Sequence, residues 1–153
     1  MYKQYNSNFL PIIQKVGCFF LSCVNLVELK TGVKLSINQI NDLWNFCKET
    51  KIIDENNNIV SSAKIMNQIL KNSGLKIRCY EVATKQDNKI NYYPSVSENF
   101  RNNENKGFIQ KIKTSGVYGT HFRIVNNSDM VIYDSVDVEN YQKIFYTIVY
   151  VFC

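Results

Sequence analysis

Apolar positions follow one rhythm in the first half of the chain and another in the second. Between residues 17 and 30, Phe19, Phe20, Leu21, Cys23, Val24, Leu26, Val27 and Leu29 fall on nearly every face of a helix. A helix that is apolar almost all round is buried within its domain. Thr31-Gly32 ends it, because glycine takes the left-handed conformation that closes helices. Ser36 is a good N-cap for a second helix through about residue 49, in which Ile37, Ile40, Leu43, Trp44 and Phe46-Cys47 keep helical spacing. After a polar turn over 54–58, a third helix runs from Ser62, its expected cap, to residue 72. Ile65, Ile69 and Leu70 form its buried stripe and Gly74 stops it. The pattern then shifts toward strands, over 75–83, 108–113, 120–126, 130–135 and 144–152, the last rich in β-branched and aromatic residues. The polar stretch 84–106 reads as a long loop, with an irregular strand around 90–93. Helices first and strands after, with mostly short connections, indicate an α+β fold: N-terminal helices packed on a C-terminal antiparallel sheet, in one domain spanning 1–153.

Composition narrows the function classes. The chain has 153 residues and is 45% hydrophobic, enough for a sizeable core. Its net charge is +5, but fifteen of the eighteen basic residues are lysines scattered without a run or stripe, and the chain is heavy in Asn and Ile. A solvated surface is favoured over nucleic-acid binding. The five cysteines, at 18, 23, 47, 79 and 153, include no C-x-x-C pair, and there is a single histidine. Neither a disulfide framework nor a zinc site is expected, and no cofactor is implied. Reduced thiols suit a cytoplasmic protein. The apolar run before Cys18 is too short for a lipoprotein signal, and the run after it is too short and too polar to span a bilayer.

His121, the lone histidine, sits in Gly119-Thr-His-Phe-Arg-Ile-Val125 at the start of a strand. A tight turn centred on Asn127-Ser128 pairs Val125 with Met130 and, counting outward, His121 with Asp134. Directly opposed residues share a sheet face, with Cβ atoms about 4.5–5.5 Å apart. A three-residue loop or a bulge would break this register. An Asp beside a His fixes the imidazole tautomer and stabilises its charged form. Cys18 opens the buried helix, where free N–H groups and the helix dipole favour a thiolate. Cys23, Cys47 and Cys79 lie inside apolar elements and read as core thiols. Gln14, four residues before Cys18, is placed to share an oxyanion hole with the Cys18 N–H, or else is a solvated residue before the helix.

Taken together, Gln14-Lys-Val-Gly-Cys-Phe-Phe-Leu-Ser22, His121-Phe-Arg-Ile-Val125 and Val131-Ile-Tyr-Asp134 resemble the papain-like cysteine peptidases, especially the compact bacteriocin-leader peptidase branch. Two features depart from that branch: the Gln-to-Cys spacing is shorter, and Ser135 stands where Pro commonly follows the Asp. The chain also resembles small uncharacterised proteins of spirochaete plasmids and prophages. The peptidase resemblance implies a papain-like fold and acyl transfer to a Cys18 nucleophile, with His121 as general base and acid, Asp134 orienting it and Gln14 as oxyanion donor. The implied partner is a peptide or protein substrate. A non-catalytic binding module on the same fold is the alternative, with 84–106 and its Tyr92 and Tyr93 as the recognition surface.

Overall fold

The computed structural model describes residues 1–115, 119–138 and 140–153. Helices and a six-stranded antiparallel sheet are both present, as the α+β reading expects. The apolar stretch before Cys18 is itself a short helix, α1 (Pro11–Val16), opened by a proline at its first position. Only Gly17 separates it from α2 (Cys18–Thr31), whose residues Phe20 to Val27 are all buried. Gly32 closes α2 in the left-handed conformation at φ 77° and donates its N–H to the Glu28 carbonyl. In α3 (Ile37–Glu49), Ser36 and Gln39 form a reciprocal capping box. The α4 helix (Ser62–Ser73) is capped by Ser61 rather than Ser62. Ser61 has the extended backbone a cap needs, while Ser62 turns inward and shares a hydrogen bond of 2.6 Å with the Tyr150 hydroxyl.

The strands are β1 (Cys79–Gln86), β2 (Lys89–Tyr92), β3 (Lys106–Lys113), β4 (Thr120–Val125), β5 (Val131–Tyr133) and β6 (Lys143–Phe152), with α5 (Glu98–Arg101) between β2 and β3. Their order across the sheet is β2-β1-β6-β3-β4-β5, so the last strand in sequence lies near the centre. The expected long loop over 84–106 is instead a hairpin and a helical turn. β1 continues to Gln86 and reverses at Asp87-Asn88, both at positive φ, as a two-residue hairpin turn requires. The irregular strand expected around 90–93 is β2; because it lies at the sheet edge it carries no continuous apolar stripe, which is why its pairing with β1 does not show in the sequence. Tyr92 and Tyr93 are half-buried and tied down, Tyr92 to the Arg101 carbonyl and Tyr93 to Glu81. At the other end, β1 begins at Cys79, so 75–78 is an irregular approach to the sheet.

The main core lies between the helices and one sheet face, and α2 runs through it against α4 and β4. A Cβ on Gly107 of β3 would sit 2.8 Å from a Leu26 side-chain carbon, so glycine there lets α2 lie close on the sheet. Alternate β6 residues serve the two faces: Tyr150 and Phe152 join the main core, while Val149 and Val151 join a smaller cluster with Phe108, Val125 and Phe100. Among the described residues, no helix is long and apolar enough to cross a membrane.

Candidate functional site

Cys18 is the first residue of α2, and its position is set by a steric constraint on its neighbour. A Cβ on Gly17 would fall 2.4 Å from the Ile13 carbonyl oxygen, so only glycine lets α1 turn this tightly into α2. At the first turn of a helix the backbone N–H groups have no intrahelical partner and face outward. The next residue, Phe19, stacks on Phe122 with ring centroids 4.0 Å apart and planes 7° from parallel. Phe122 follows His121. The residue after the cysteine is thus packed flat on the residue after the histidine, and Cys18 and His121 open onto one cavity. Ser22 Oγ lies between α2 and β4, donating to the Cys18 carbonyl of its own helix at 2.8 Å and lying 3.4 Å from the Phe122 carbonyl.

Cys18 and His121 line one cavity of about 410 Å³, with Phe19, Trp44, Ile59 and Phe122 as apolar walls. His121 Nε2 meets Asp134 Oδ1 at 2.6 Å, and both residues are buried. With Nε2 on the carboxylate, Nδ1 is the ring nitrogen left for the thiol. Burial alone would lower the His121 pKa. The hydrogen bond to Asp134, with Cys18 on the same cavity, outweighs it and raises the imidazole to about 9. Burial pushes the Asp134 carboxyl up. The opposing pull of the His121 hydrogen bond and charge, and of the Val136 and Val138 N–H groups, brings it below its usual range. Those two amides donate to Oδ1 and Oδ2, each at 3.1 Å.

The contact between His121 and Asp134 is the one anticipated, but its register is not. The hairpin loop has three residues, 127–129, with Asp129 in the left-handed region, so Val125 pairs with Val131 rather than Met130. A bulge follows, and Ile124 pairs with Tyr133. Either event alone would invert the faces. Together they shift the register by two, which restores the alternation and leaves Asp134, just past the end of β5, beside the imidazole.

Gln14 reaches the same cavity, half-buried, and donates one amide N–H to the Phe9 carbonyl at 2.9 Å. A primary amide has a second N–H, the one an oxyanion role would use. Sequence reasoning missed Gln4. It is buried, lines the cavity and bridges two arms of the site: Ser135 Oγ donates to its Oε1 at 2.9 Å, and its Nε2 donates to the Gln14 carbonyl at 3.1 Å. Among the described residues, no cluster of His, Cys, Asp and Glu is arranged to hold a metal ion.

The family described as "Protein of unknown function, DUF261" matches residues 1–149. The chain belongs to the DUF261 family. No curated protein and no solved structure matches it. The matched stretch contains Gln4, Gln14, Cys18, His121 and Asp134, so every group of the cavity described above falls inside the DUF261 region. Chemically, this DUF261 site offers a thiol at a helix start, a histidine whose orientation is fixed by a carboxylate, and amide donors around a partly apolar cavity. Those parts suffice for nucleophilic attack on a carbonyl followed by proton transfer to a leaving group.

Proposed function

We propose that this DUF261 protein is a cysteine-dependent hydrolase or acyltransferase with a papain-like arrangement, acting on a peptide, isopeptide or amide bond of a peptide or protein substrate. The observation that carries this reading is the buried His121–Asp134 pair at 2.6 Å facing the cavity that Cys18 opens onto. The Cys18 thiolate attacks the carbonyl carbon and forms a C–S bond, while the carbonyl electrons move to oxygen. The Cys18 N–H and the second Gln14 N–H hold that oxyanion. Collapse breaks the C–N bond, and the amine leaves with the proton His121 supplies. Water or another nucleophile then attacks the thioester, giving its proton to His121 and freeing the thiolate. Asp134 keeps the ring oriented and its charged form stabilised throughout. All five cysteines are free thiols, in keeping with a cytoplasmic setting.

The test is alkylation of the folded protein by iodoacetamide, read cysteine by cysteine by mass spectrometry, alongside hydrolysis of a fluorogenic peptide library. Cys18 is expected to react far faster than Cys23, Cys47 and Cys79, and Cys18→Ala to abolish turnover. If Cys18 reacts no faster than the buried thiols and only as the protein unfolds, the enzyme reading is wrong. A non-catalytic binding module then takes its place.

A further inference from the structure

We propose that Gln4 is a positioning residue, the centre of an N-terminal clasp that holds the Asp134 segment against α1 and so keeps the carboxylate on His121. The inference rests on the reading of Cys18, His121 and Asp134 as the reacting groups. Its physical basis is that the sheet does not hold Asp134. β5 is a three-residue edge strand that ends at Tyr133, and the last ladder pair is Ile124 with Tyr133. Past that point the chain at 134–138 needs support from elsewhere. The Asp134 carboxylate is bound by Val136 and Val138 of that same segment, so those bonds shape the loop without anchoring it.

The anchor comes from the far end of the sequence. The Gln4 N–H donates to the Ser135 carbonyl at 3.0 Å and Ser135 Oγ returns a bond to Gln4 Oε1 at 2.9 Å. Lys3 Nζ donates to the Asp134 carbonyl at 2.6 Å and pairs with Asp137 at 2.5 Å. The Tyr133 hydroxyl donates to the Tyr2 carbonyl. Three consecutive residues thus bind Tyr133, Asp134, Ser135 and Asp137. Of the three, Gln4 is the one that hydrogen-bonds onward, through Nε2, to the Gln14 carbonyl on α1, the helix that turns through Gly17 into Cys18. Gln4 and Ser135 are both buried, where hydrogen bonds are protected from water and costly to break singly. The amide therefore joins the arm bearing the acid to the arm bearing the nucleophile.

The experiment uses the lone histidine as its own reporter. The groups acting on its ring are Cys18 from α2 and Asp134 from the clasped segment; the Tyr133 hydroxyl lies within reach of both, and Lys3 and Asp137 form an ion pair on the same segment. The His121 ring is followed by NMR across pH in the wild type, Gln4→Met, Ser135→Ala and Asn41→Ala. Gln4→Met keeps the side chain's length and removes its hydrogen bonds. Ser135→Ala removes one hydroxyl and serves if Gln4→Met fails to fold. Asn41→Ala is the control: it removes the two bonds that fasten Asn8 and Leu10 to α3 and leaves the clasp intact. The expected result is a His121 midpoint lower by about one unit, a tenfold loss of proton affinity, in Gln4→Met and Ser135→Ala but not in Asn41→Ala. An unchanged midpoint in the folded clasp variants, or an equal drop in Asn41→Ala, overturns the clasp. Failure of the enzyme reading shows separately, as slow Cys18 alkylation in the wild type.

Discussion

Cys18 and Cys23 lie five residues apart on the same helix, yet the structure gives them different chemistry. Cys23 is fully buried among apolar side chains. Burial pushes its thiol well above the ordinary range, and neighbouring Cys79 and Cys47 add to the effect. Cys47 is driven the same way, to about 11. Cys18 is half-buried at the helix start, on the cavity that a carboxylate-bound imidazole also lines. The same side chain is thus packing material at one position and a candidate nucleophile little more than a turn away. What separates them is which groups surround the sulfur, and each prediction below tests that difference.

The largest expected effect is on stability against pH. The folded His121 pKa is raised to about 9 from an ordinary 6.5, so its contribution is fully present below about 6.5 and lost as pH rises through about 9. At 1.36 kcal/mol per unit, about 3 kcal/mol of stability should disappear across that window. Asp134, held low, contributes above its ordinary carboxylate range and loses its share as pH falls through its depressed folded value. The two are halves of one interaction and are not summed. Urea melts across this range should show the loss in the wild type and a much flatter profile in Asp134→Asn. The buried thiols ionise in the unfolded chain from about pH 8.5 and add their own loss above it, so the comparison is made between about pH 6.5 and 8.5, where a profile that stays steep in Asp134→Asn would remove the pair as its source.

Next in size is the dependence of Cys18 on its imidazole. At about pH 6 an ordinary thiol, with a pKa near 8.5, is less than about 1% ionised. His121→Ala should slow iodoacetamide labelling of Cys18 at least about tenfold at that pH, and much less in alkaline solution, where an ordinary thiol ionises unaided. Stopped-time labelling with mass spectrometry reads both limits. Equal slowing at every pH would mean the histidine gates access rather than ionisation.

The reach of sequence reasoning follows the same physical division. The long helices were legible because each is a buried stripe with chemical end marks, Gly32 for α2, Ser36 for α3 and Gly74 for α4. Cys18 was legible from the glycine before it and the apolar helix after it. His121 and Asp134 were paired by counting across a hairpin, and the pairing survived only because the longer loop and the bulge each added one residue. The β1–β2 hairpin was missed because an edge strand shows little hydrophobic alternation, and its Asp87-Asn88 turn lies within a polar, Asn-rich stretch. Gln4 left no signal at all. Its bond to Ser135 spans 131 residues and depends on how the first few residues cross the finished fold.

A smaller effect is expected at the junction that places Cys18. In Gly17→Ala the new methyl group would press on the Ile13 carbonyl oxygen at 2.4 Å and on its side chain at 2.8 Å. Overpacking of this kind costs about 2 kcal/mol. Because relief requires α1 to move off α2, the loss of stability should come with slower Cys18 labelling in the still-folded protein. A thermal melt with labelling at low temperature separates the two. Reduced stability with unaltered labelling would mean that the junction holds the fold but does not aim the thiol.

The smallest effect, and the sharpest check on the comparison, is at the other thiol. Cys23→Ala deletes one buried sulfur atom and leaves a small cavity in the main core, at a cost of about 1 kcal/mol. If Cys23 is only packing, labelling of Cys18 in the folded variant should match the wild type, and His121 should titrate at the same pH. If Cys18 labelling instead tracked the lost stability, its speed in the wild type would be reporting transient opening of the whole domain. The contrast between the two cysteines would then be one of depth alone. Denaturant dependence distinguishes these cases, since labelling through unfolding accelerates with urea along the unfolding equilibrium, whereas labelling of a preformed site does not.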